Sequence, residues 1–105
     1  MFEKFKVRVH SVPIDVDGEQ ITIHLRELPF EVVARNYEND NQADVMLKFV
    51  VASLCNENGE PIFANEEEGL KEVSSWRFDV MNKIAAKVVE INRLEPVPLN
   101  TTNPD

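Results

Sequence analysis

Two histidines, one cysteine and a run of three glutamates are the residues of this chain most able to do chemistry. His10 and His24 lie in two segments that alternate like β-strands, and if Asp15 pairs with Glu19, the two imidazoles face each other. Two imidazoles alone make an incomplete zinc site, and no third ligand has suitable spacing. We therefore expect solvated histidines rather than a metal centre.

Cys55 and the glutamates Glu66, Glu67 and Glu68 also lack the arrangement of an active site. Cys55 ends an apolar segment and has no histidine nearby in sequence, so we expect it to fill the core. Successive residues of a helix point in different directions, so the carboxylates do not converge on one atom. Because no nucleophile, base and orienting group form a set, we expect a protein that is not an enzyme and needs no cofactor.

Residues 54–63 read Leu-Cys-Asn-Glu-Asn-Gly-Glu-Pro-Ile-Phe and superficially resemble a calcium-binding loop. Aligning Gly59 with the glycine of that motif puts Leu54 at the first ligand position and Asn65 where a bidentate glutamate is needed. The segment is better interpreted as a turn after which Pro61 prevents a helix from resuming. The residues expected to anchor this loop to the core are Ile62 and Phe63.

The composition predicts one small acidic domain. The chain has 105 residues, of which 43% are hydrophobic, and a net charge of −8. That length suits one core, which we assign to residues 1–94. The acidic balance disfavours binding to nucleic acid or to an anionic membrane surface.

The N-terminal residues lack the apolar core of a secretory signal, and a single cysteine cannot form an internal disulfide. Lys48 interrupts the longest apolar run, which is then too short to span a membrane. We expect a soluble intracellular protein.

Strict alternation predicts a β-hairpin near the N-terminus. Residues 5–9 would place Phe5, Val7 and Val9 on the same face as the apolar residues of 21–25, with a turn at residues 15–18. The apolar residues of the second strand are Ile21, Ile23 and Leu25. Pro13 lacks an N–H group and is expected on an outward-facing strand edge.

The remainder of the chain predicts helices. A short helix begins near Pro29, a loop covers residues 36–42, and a helix apolar around its whole circumference covers residues 43–55. A strand is the alternative there because residues 49–51 are strand formers, but the length and the Asn/Asp-rich start favour a helix. Asn65 caps a short acidic helix that Gly69 weakens.

Ser74 or Ser75 is expected to cap the last helix, which carries one broad apolar stripe. Residues 95–105 contain prolines and little to bury, so they are predicted to be disordered. The fold class is therefore α+β and predominantly helical, with an N-terminal β-hairpin followed by a small bundle of about three to four helices.

The start of the last helix is rich in large, adaptable side chains of the kind enriched at protein interfaces. The chain also divides its charge between an acidic segment, residues 57–72, and a last helix that carries cations. The candidates for partner binding are Phe63, Trp76, Phe78, Met81, Glu66, Glu67, Arg77, Lys83 and Lys87.

Residues 51–64, which read Val-Ala-Ser-Leu-Cys-Asn-Glu-Asn-Gly-Glu-Pro-Ile-Phe-Ala, are followed by a short acidic helix and a last helix that closes with Val-Glu-Ile-Asn-Arg-Leu. This arrangement resembles the tail assembly chaperones of long-tailed (siphophage-type) bacteriophages or prophages. The hairpin and residues 26–28 also fit the N-terminal part of that family. Ala64 and Asn65 depart from the Thr or Ser followed by Asp that is expected there.

The resemblance implies a non-enzymatic assembly factor in phage tail (virion) morphogenesis. It would bind the long helical tape measure protein, keep it soluble and help to recruit tail tube protein subunits in the cytoplasm of the bacterial host. It would then be absent from the mature virion. The alternative is a small acidic adaptor or antitoxin-like interaction protein, which would have a similar composition.

The divided charge also suggests that copies associate head to tail. The acidic segment of one copy would meet the basic last helix of the next, giving an open helical oligomer.

Overall fold

The computed structural model describes residues 1–93. The predicted disordered tail, residues 95–105, lies outside the described residues. A 3₁₀ turn, Glu3–Phe5, precedes the first strand. The strands are β1 (Val9–Val16), β2 (Glu19–Arg26) and β3 (Leu54–Cys55), and the helices are α1 (Phe30–Arg35), α2 (Gln42–Ser53), α3 (Glu66–Val73) and α4 (Phe78–Asn92).

The predicted α+β class, a hairpin followed by a small set of helices, is confirmed. The hairpin closes through a two-residue turn in which Asp17 and Gly18 have φ angles of 54° and 83°. Positive φ at both central residues is what a type I′ turn requires, and this turn matches the twist of paired strands.

The predicted strand register is wrong by one residue. Val16 pairs with Glu19, so His10 lies opposite Leu25 and His24 lies opposite Ser11. The two-residue turn causes the shift, because the sequence-based turn had placed Asp15 opposite Glu19. The histidines therefore lie on opposite faces of the hairpin, and the facing pair that suggested a metal does not exist.

The predicted first strand also begins too early. Phe5 belongs to the 3₁₀ turn and is 79% exposed, and Val7 precedes β1. Val9 is the first residue of β1 and points away from the core face, which β1 forms with Val12 and Ile14. In a hairpin with this turn, Pro13 directs its nitrogen outward, as predicted, and β1 is an edge strand of the sheet.

Residues 42–53 form a helix rather than a strand, as predicted. The side chain of Asn41 accepts a hydrogen bond from the backbone N–H of Asp44 at 3.0 Å and caps the helix. The helix ends two residues earlier than expected, because Leu54 and Cys55 form β3 on the edge of β2. This third strand was not predicted.

The loop after β3 is a tight turn, as predicted. The side-chain oxygen of Asn56 accepts hydrogen bonds from the N–H groups of Asn58 and Glu60 at 2.8 and 3.0 Å. Gly59 adopts a φ of 84° within the turn. Of the two predicted anchors, Phe63 packs against the core, whereas Ile62 is 51% exposed and that prediction is wrong.

Asn65 caps α3, as predicted, by accepting a hydrogen bond from the N–H of Glu68 at 2.9 Å. The predicted cap of the last helix is wrong. The hydroxyls of Ser74 and Ser75 donate back to carbonyls of α3, at 3.1 and 2.7 Å. Helix α4 begins at Phe78, and Arg77 precedes it without capping it through its side chain.

One apolar core lies between the hairpin and the helices. It joins the inner face of the sheet to the buried sides of α1, α2, α3 and α4. Its buried members are Val12, Ile14, Leu25, Leu28, Val32, Phe49, Val50, Val51, Leu54, Val73, Ile84 and Val88.

Candidate partner-binding groove

An apolar groove of about 470 Å³ opens between the hairpin and the start of α4. Its volume lies within the range of about 300–1,000 Å³ that is typical of ligand pockets. Its lining residues are Ile14, Val16, Ile21, Ile23, Ser75, Trp76, Arg77, Val80 and Ile84. Two different elements therefore form one apolar depression on the surface.

The hairpin supplies one wall because side chains of directly paired residues point to the same face of a sheet. Ile14 pairs with Ile21, and Val16 pairs with Glu19 beside them. Ile14 on β1 is only 4% exposed, whereas Ile21 on β2 is 42% exposed. The turn end of β2 is therefore the part of this face that solvent reaches.

Trp76 and α4 supply the other wall. Trp76 lies in the connection between α3 and α4, where its indole N–H donates to a carboxylate oxygen of Glu72 at 2.9 Å. Its ring is half-buried and packs against the core. Val80 and Ile84 follow it on one side of α4, four residues apart, as the helical period requires.

Arg77 ties the two walls together at the turn end of the groove. Its guanidinium donates to the carboxylates of Asp17 in the hairpin turn and Asp79 in α4, with 2.7 Å for the shortest contact to each. The hydrogen bonds from Arg77 lower the pKa of both carboxyls, and the two carboxylates raise the pKa of Arg77. All three groups are exposed, so this is an orienting contact rather than a major source of stability.

The groove brings together only some of the predicted partner-binding residues. Trp76 and Arg77 line it. Phe78, which begins α4, is 79% exposed and is not part of the lining. Met81 packs against the core instead. Phe63 lies elsewhere, in a cavity of about 230 Å³ that it shares with Glu66.

The charged residues predicted to bind a partner differ in the contacts they make within the chain. Glu67 is exposed near the start of α3. Lys83 donates to the backbone carbonyl of Asp15 at 2.6 Å, and Lys87 lies 3.6 Å from a carboxylate oxygen of Glu90. With Arg77 also paired, these cations of α4 already have partners within the chain. This leaves less positive charge on α4 for a neighbouring copy.

Sequence reasoning missed the hairpin wall of the groove. Its apolar residues were expected to be covered by the core. The available signal was the alternation that continues through Ile14 to Val16, but the predicted turn at residues 15–18 included Val16. No residue pattern in the sequence indicated that Ile21 would stay exposed.

His10 and Cys55, which were considered as reactive groups, make contacts typical of structural residues. His10 Nε2 lies 2.9 Å from Glu27 Oε2 at the base of the hairpin. Burial raises the pKa of the Cys55 thiol more than the nearby charge of Arg26 lowers it. A raised pKa makes the thiolate, the reactive form, scarce near neutral pH.

Within residues 1–93, no three or more His, Cys, Asp or Glu side chains are grouped so that they could hold a metal ion. In the same part of the chain, no helix combines the length and the apolar character needed to cross a bilayer. No protein-family model, no curated protein and no solved structure matches the chain.

Proposed function

We propose that this protein is a non-enzymatic tail assembly chaperone of a long-tailed phage or prophage. It binds the tape measure protein, keeps it soluble and helps to recruit tail tube subunits in the cytoplasm of the host, and it is absent from the finished virion. The observation that carries the proposal is the open apolar groove between the hairpin and α4. The resemblance of residues 51–64 to this family supports it independently.

The groove has the properties needed to hold an amphipathic helix. Recognition of this kind uses an apolar channel that accepts anchors spaced three and four residues along the partner. The lining is aliphatic apart from Trp76 and the polar residues at one end, and Ile21 offers accessible apolar surface. A tape measure protein is a long helical chain, so it offers many such segments.

The charge of the chain suits a solubilising role. A net charge of −8 on 105 residues keeps a complex apart from other complexes through electrostatic repulsion. An apolar client segment seated in the groove would be shielded from water and carried by an acidic protein. This combination serves a client that aggregates when it is made alone.

The test is co-expression with the tape measure protein encoded by the same tail gene cluster. The groove variant is Ile21→Glu, which places a charge on an exposed position of the lining. The matched control is Thr22→Glu, which adds the same charge to the opposite face of the same strand. The measurements are the soluble fraction of the tape measure protein and its co-purification with the chaperone.

Wild type and Thr22→Glu are expected to keep the tape measure protein soluble, and Ile21→Glu to lower the affinity about tenfold or more. A tape measure protein that stays insoluble with the wild-type chain contradicts the proposal. If Ile21→Glu keeps the tape measure protein as soluble as the wild-type chain does, the groove is not the binding site. Specific pairing with a small protein of an adjacent gene instead would favour the adaptor or antitoxin-like alternative.

A further inference from the structure

A second cavity, of about 230 Å³, opens between the end of β2, the helices α1 and α2, and the start of α3. It shares no lining residue with the groove between the hairpin and α4. Its charged lining residues are Arg26, Arg35 and Glu66, and its apolar wall includes Val32, Val51 and Phe63. Phe63 and Glu66 were both predicted from the sequence to bind a partner, and the structure places them beside two arginines.

Arg26, the last residue of β2, is held in place at one wall of this cavity. Its Nε donates to the backbone carbonyl of Ala52 at 2.9 Å in a partly buried contact. Within residues 1–93, no carboxylate forms a salt bridge with it. A guanidinium anchored through Nε keeps its two terminal nitrogens for a ligand, and such a pair binds a carboxylate through two parallel hydrogen bonds.

Arg35, the last residue of α1, supplies the second cation. It is exposed, and it too forms no salt bridge in the part of the chain that the structure describes. Carboxylates are not scarce, since the chain has 19 acidic and 11 basic side chains. Arg8 and Arg77 each pair with a carboxylate. Arg26 and Arg35 therefore differ from them in keeping their charge available to a ligand.

The charge of the cavity favours a ligand with one negative charge. Glu66 is the carboxylate of the lining, and it forms a salt bridge with neither arginine. Two guanidiniums and one carboxylate leave a single net positive charge, which a carboxylate ligand neutralises. A phosphate group carries about two negative charges near neutral pH, so one of them would stay uncompensated beside Glu66.

The size and the apolar wall of the cavity indicate which carboxylate fits. Its volume lies below the range of about 300–1,000 Å³ that is typical of pockets for larger small molecules. Val32 and Val51 are buried, and Phe63 packs against the core, so this wall is fixed. A glutamate side chain joins a carboxylate to two methylene groups, which gain free energy when an apolar wall covers them.

We propose that this cavity binds a glutamate side chain from an acidic segment of a partner protein. The carboxylate pairs with Arg26 and Arg35, and the methylene groups contact Val51 and Phe63. An apolar residue next to the glutamate covers Pro61, which is exposed at the edge of the cavity. Clustered arginines recognise acidic motifs in this way.

The site goes beyond the proposed function, because it lies apart from the groove and takes a charged side chain rather than the apolar face of a helix. It needs neither the tape measure protein nor a second copy of the chain.

NMR titration of the isotope-labelled full-length protein with blocked peptides tests the site. The probe is acetyl-Leu-Glu-Leu-amide, whose one charge is the glutamate carboxylate, and the matched control is acetyl-Leu-Gln-Leu-amide. The glutamate peptide is expected to shift the signals of residues around the cavity, with a dissociation constant of about 1 mM. The glutamine peptide is expected to bind about tenfold more weakly, because it lacks the charge-assisted hydrogen bonds. High salt is expected to reduce this difference.

Arg35→Gln is the main variant, because Arg35 is exposed and its replacement leaves the core intact. It is expected to weaken binding of the glutamate peptide about tenfold. Lys71→Gln removes the same charge from an exposed position outside the cavity and is the control. Arg26→Gln is expected to weaken binding as much as Arg35→Gln does. It also loses the contact to Ala52, so Arg35→Gln keeps the test valid if Arg26→Gln fails to fold.

Glu66→Gln tests the charge argument in the opposite direction. Removing this carboxylate is expected to strengthen binding of the glutamate peptide about threefold, because the like charge in the cavity is gone. Glu67→Gln is the matched control, since Glu67 is the next residue of α3 and does not line the cavity. A Glu66→Gln protein that binds the peptide more weakly than wild type contradicts the charge argument.

Equal affinity for the glutamate and glutamine peptides overturns the inference, as does equal binding by Arg35→Gln and Lys71→Gln. Inorganic phosphate is the third probe. If it displaces the glutamate peptide at equal concentration, the cavity is a general anion site and the assignment to glutamate is wrong. Ile21→Glu is expected to bind the glutamate peptide as wild type does, so loss of tape measure binding and loss of peptide binding are distinguishable.

Discussion

Gly69 lies in α3 where this helix contacts α2 and Phe63. A Cβ atom at this position would lie 2.5 Å from Val51 Cγ1 and 2.9 Å from Phe63 Cδ2. Val51 is buried and Phe63 packs against the core, so neither is free to retreat far. The sequence indicated only that this glycine weakens the helix. In the structure, the missing side chain allows α3 to approach α2 and Phe63 closely.

We predict that Gly69→Ala destabilises the protein although alanine is the better helix former. The gain in helix propensity is about 1 kcal/mol, and overpacking of a filled core costs about 1–3 kcal/mol. The expected net loss is about 1 kcal/mol in the free energy of unfolding, measured by urea denaturation. Lys71→Ala, an exposed change on the same helix, is the control and should stay within about 0.5 kcal/mol of wild type. A more stable Gly69→Ala protein would contradict the packing argument.

Glu27, directly after β2, contacts Arg8, which precedes β1, and His10 within β1. Burial raises the pKa of its carboxyl, but the hydrogen bonds from His10 and the backbone of Arg8, with the charge of Arg8, outweigh burial and leave the pKa below its ordinary value of 4.5. A carboxyl whose pKa is lowered by folding contributes stability above its unfolded pKa. That stability is lost as the pH falls through the folded pKa.

We therefore predict that Glu27→Gln removes part of the acid sensitivity of the fold. At pH 7 the variant should be less stable by about 1 kcal/mol, because a hydrogen-bonded charge is lost. Its difference from wild type should shrink as the pH is lowered below about 4.5, where the carboxyl takes up a proton first in the unfolded chain and, at lower pH, in the folded protein. Urea denaturation at a series of pH values measures this. Glu57→Gln changes an exposed carboxylate and is the control, and a difference independent of pH would refute the assignment.

At the scale of elements, Asn92 joins the end of α4 to the chain that leads into α1. Its side-chain oxygen accepts a hydrogen bond from the N–H of Leu28 at 2.7 Å, and its amide donates to the carbonyl of Val88 at 2.8 Å. Both contacts are partly buried. One asparagine thus fixes the C-terminal end of α4 against the segment that follows the hairpin.

We predict that Asn92→Ala costs about 1–3 kcal/mol, because the partly buried N–H of Leu28 loses its partner. Thermal and urea denaturation both measure the loss. Asn82→Ala is the matched control, since Asn82 is exposed on the same helix and should change stability little. If the two variants are equally stable, the contact to Leu28 does not hold the elements together.

At the scale of the whole molecule, the helices cover the two long strands of the hairpin unequally. Ile14 on β1 is 4% exposed and belongs to the core, whereas its partner Ile21 on β2 is 42% exposed. Both residues line the groove with Trp76 and α4. The exposed apolar surface of the groove therefore lies over the turn end of β2.

The sequence determined the types of the elements and much of their order. The alternation of β2 and the all-round apolar pattern of α2 depend only on local periods, so a strand and a buried helix followed from them directly. The cap Asn65 was also predicted, because a cap is a contact between near neighbours in the chain. The burial of Cys55 followed from its apolar setting.

Only the tertiary structure decided the register, the third strand and the groove. Pairing in a hairpin slips by a whole residue for a small change in the turn, and the slip moves every side chain of one strand to the other face. The close approach at Gly69 and the pairing of β3 depend on residues far apart in sequence. The groove exists because the helices bury Ile14 on β1 but leave Ile21 on β2 exposed. Which strand a helix covers is a property of the packing, which local periods do not encode.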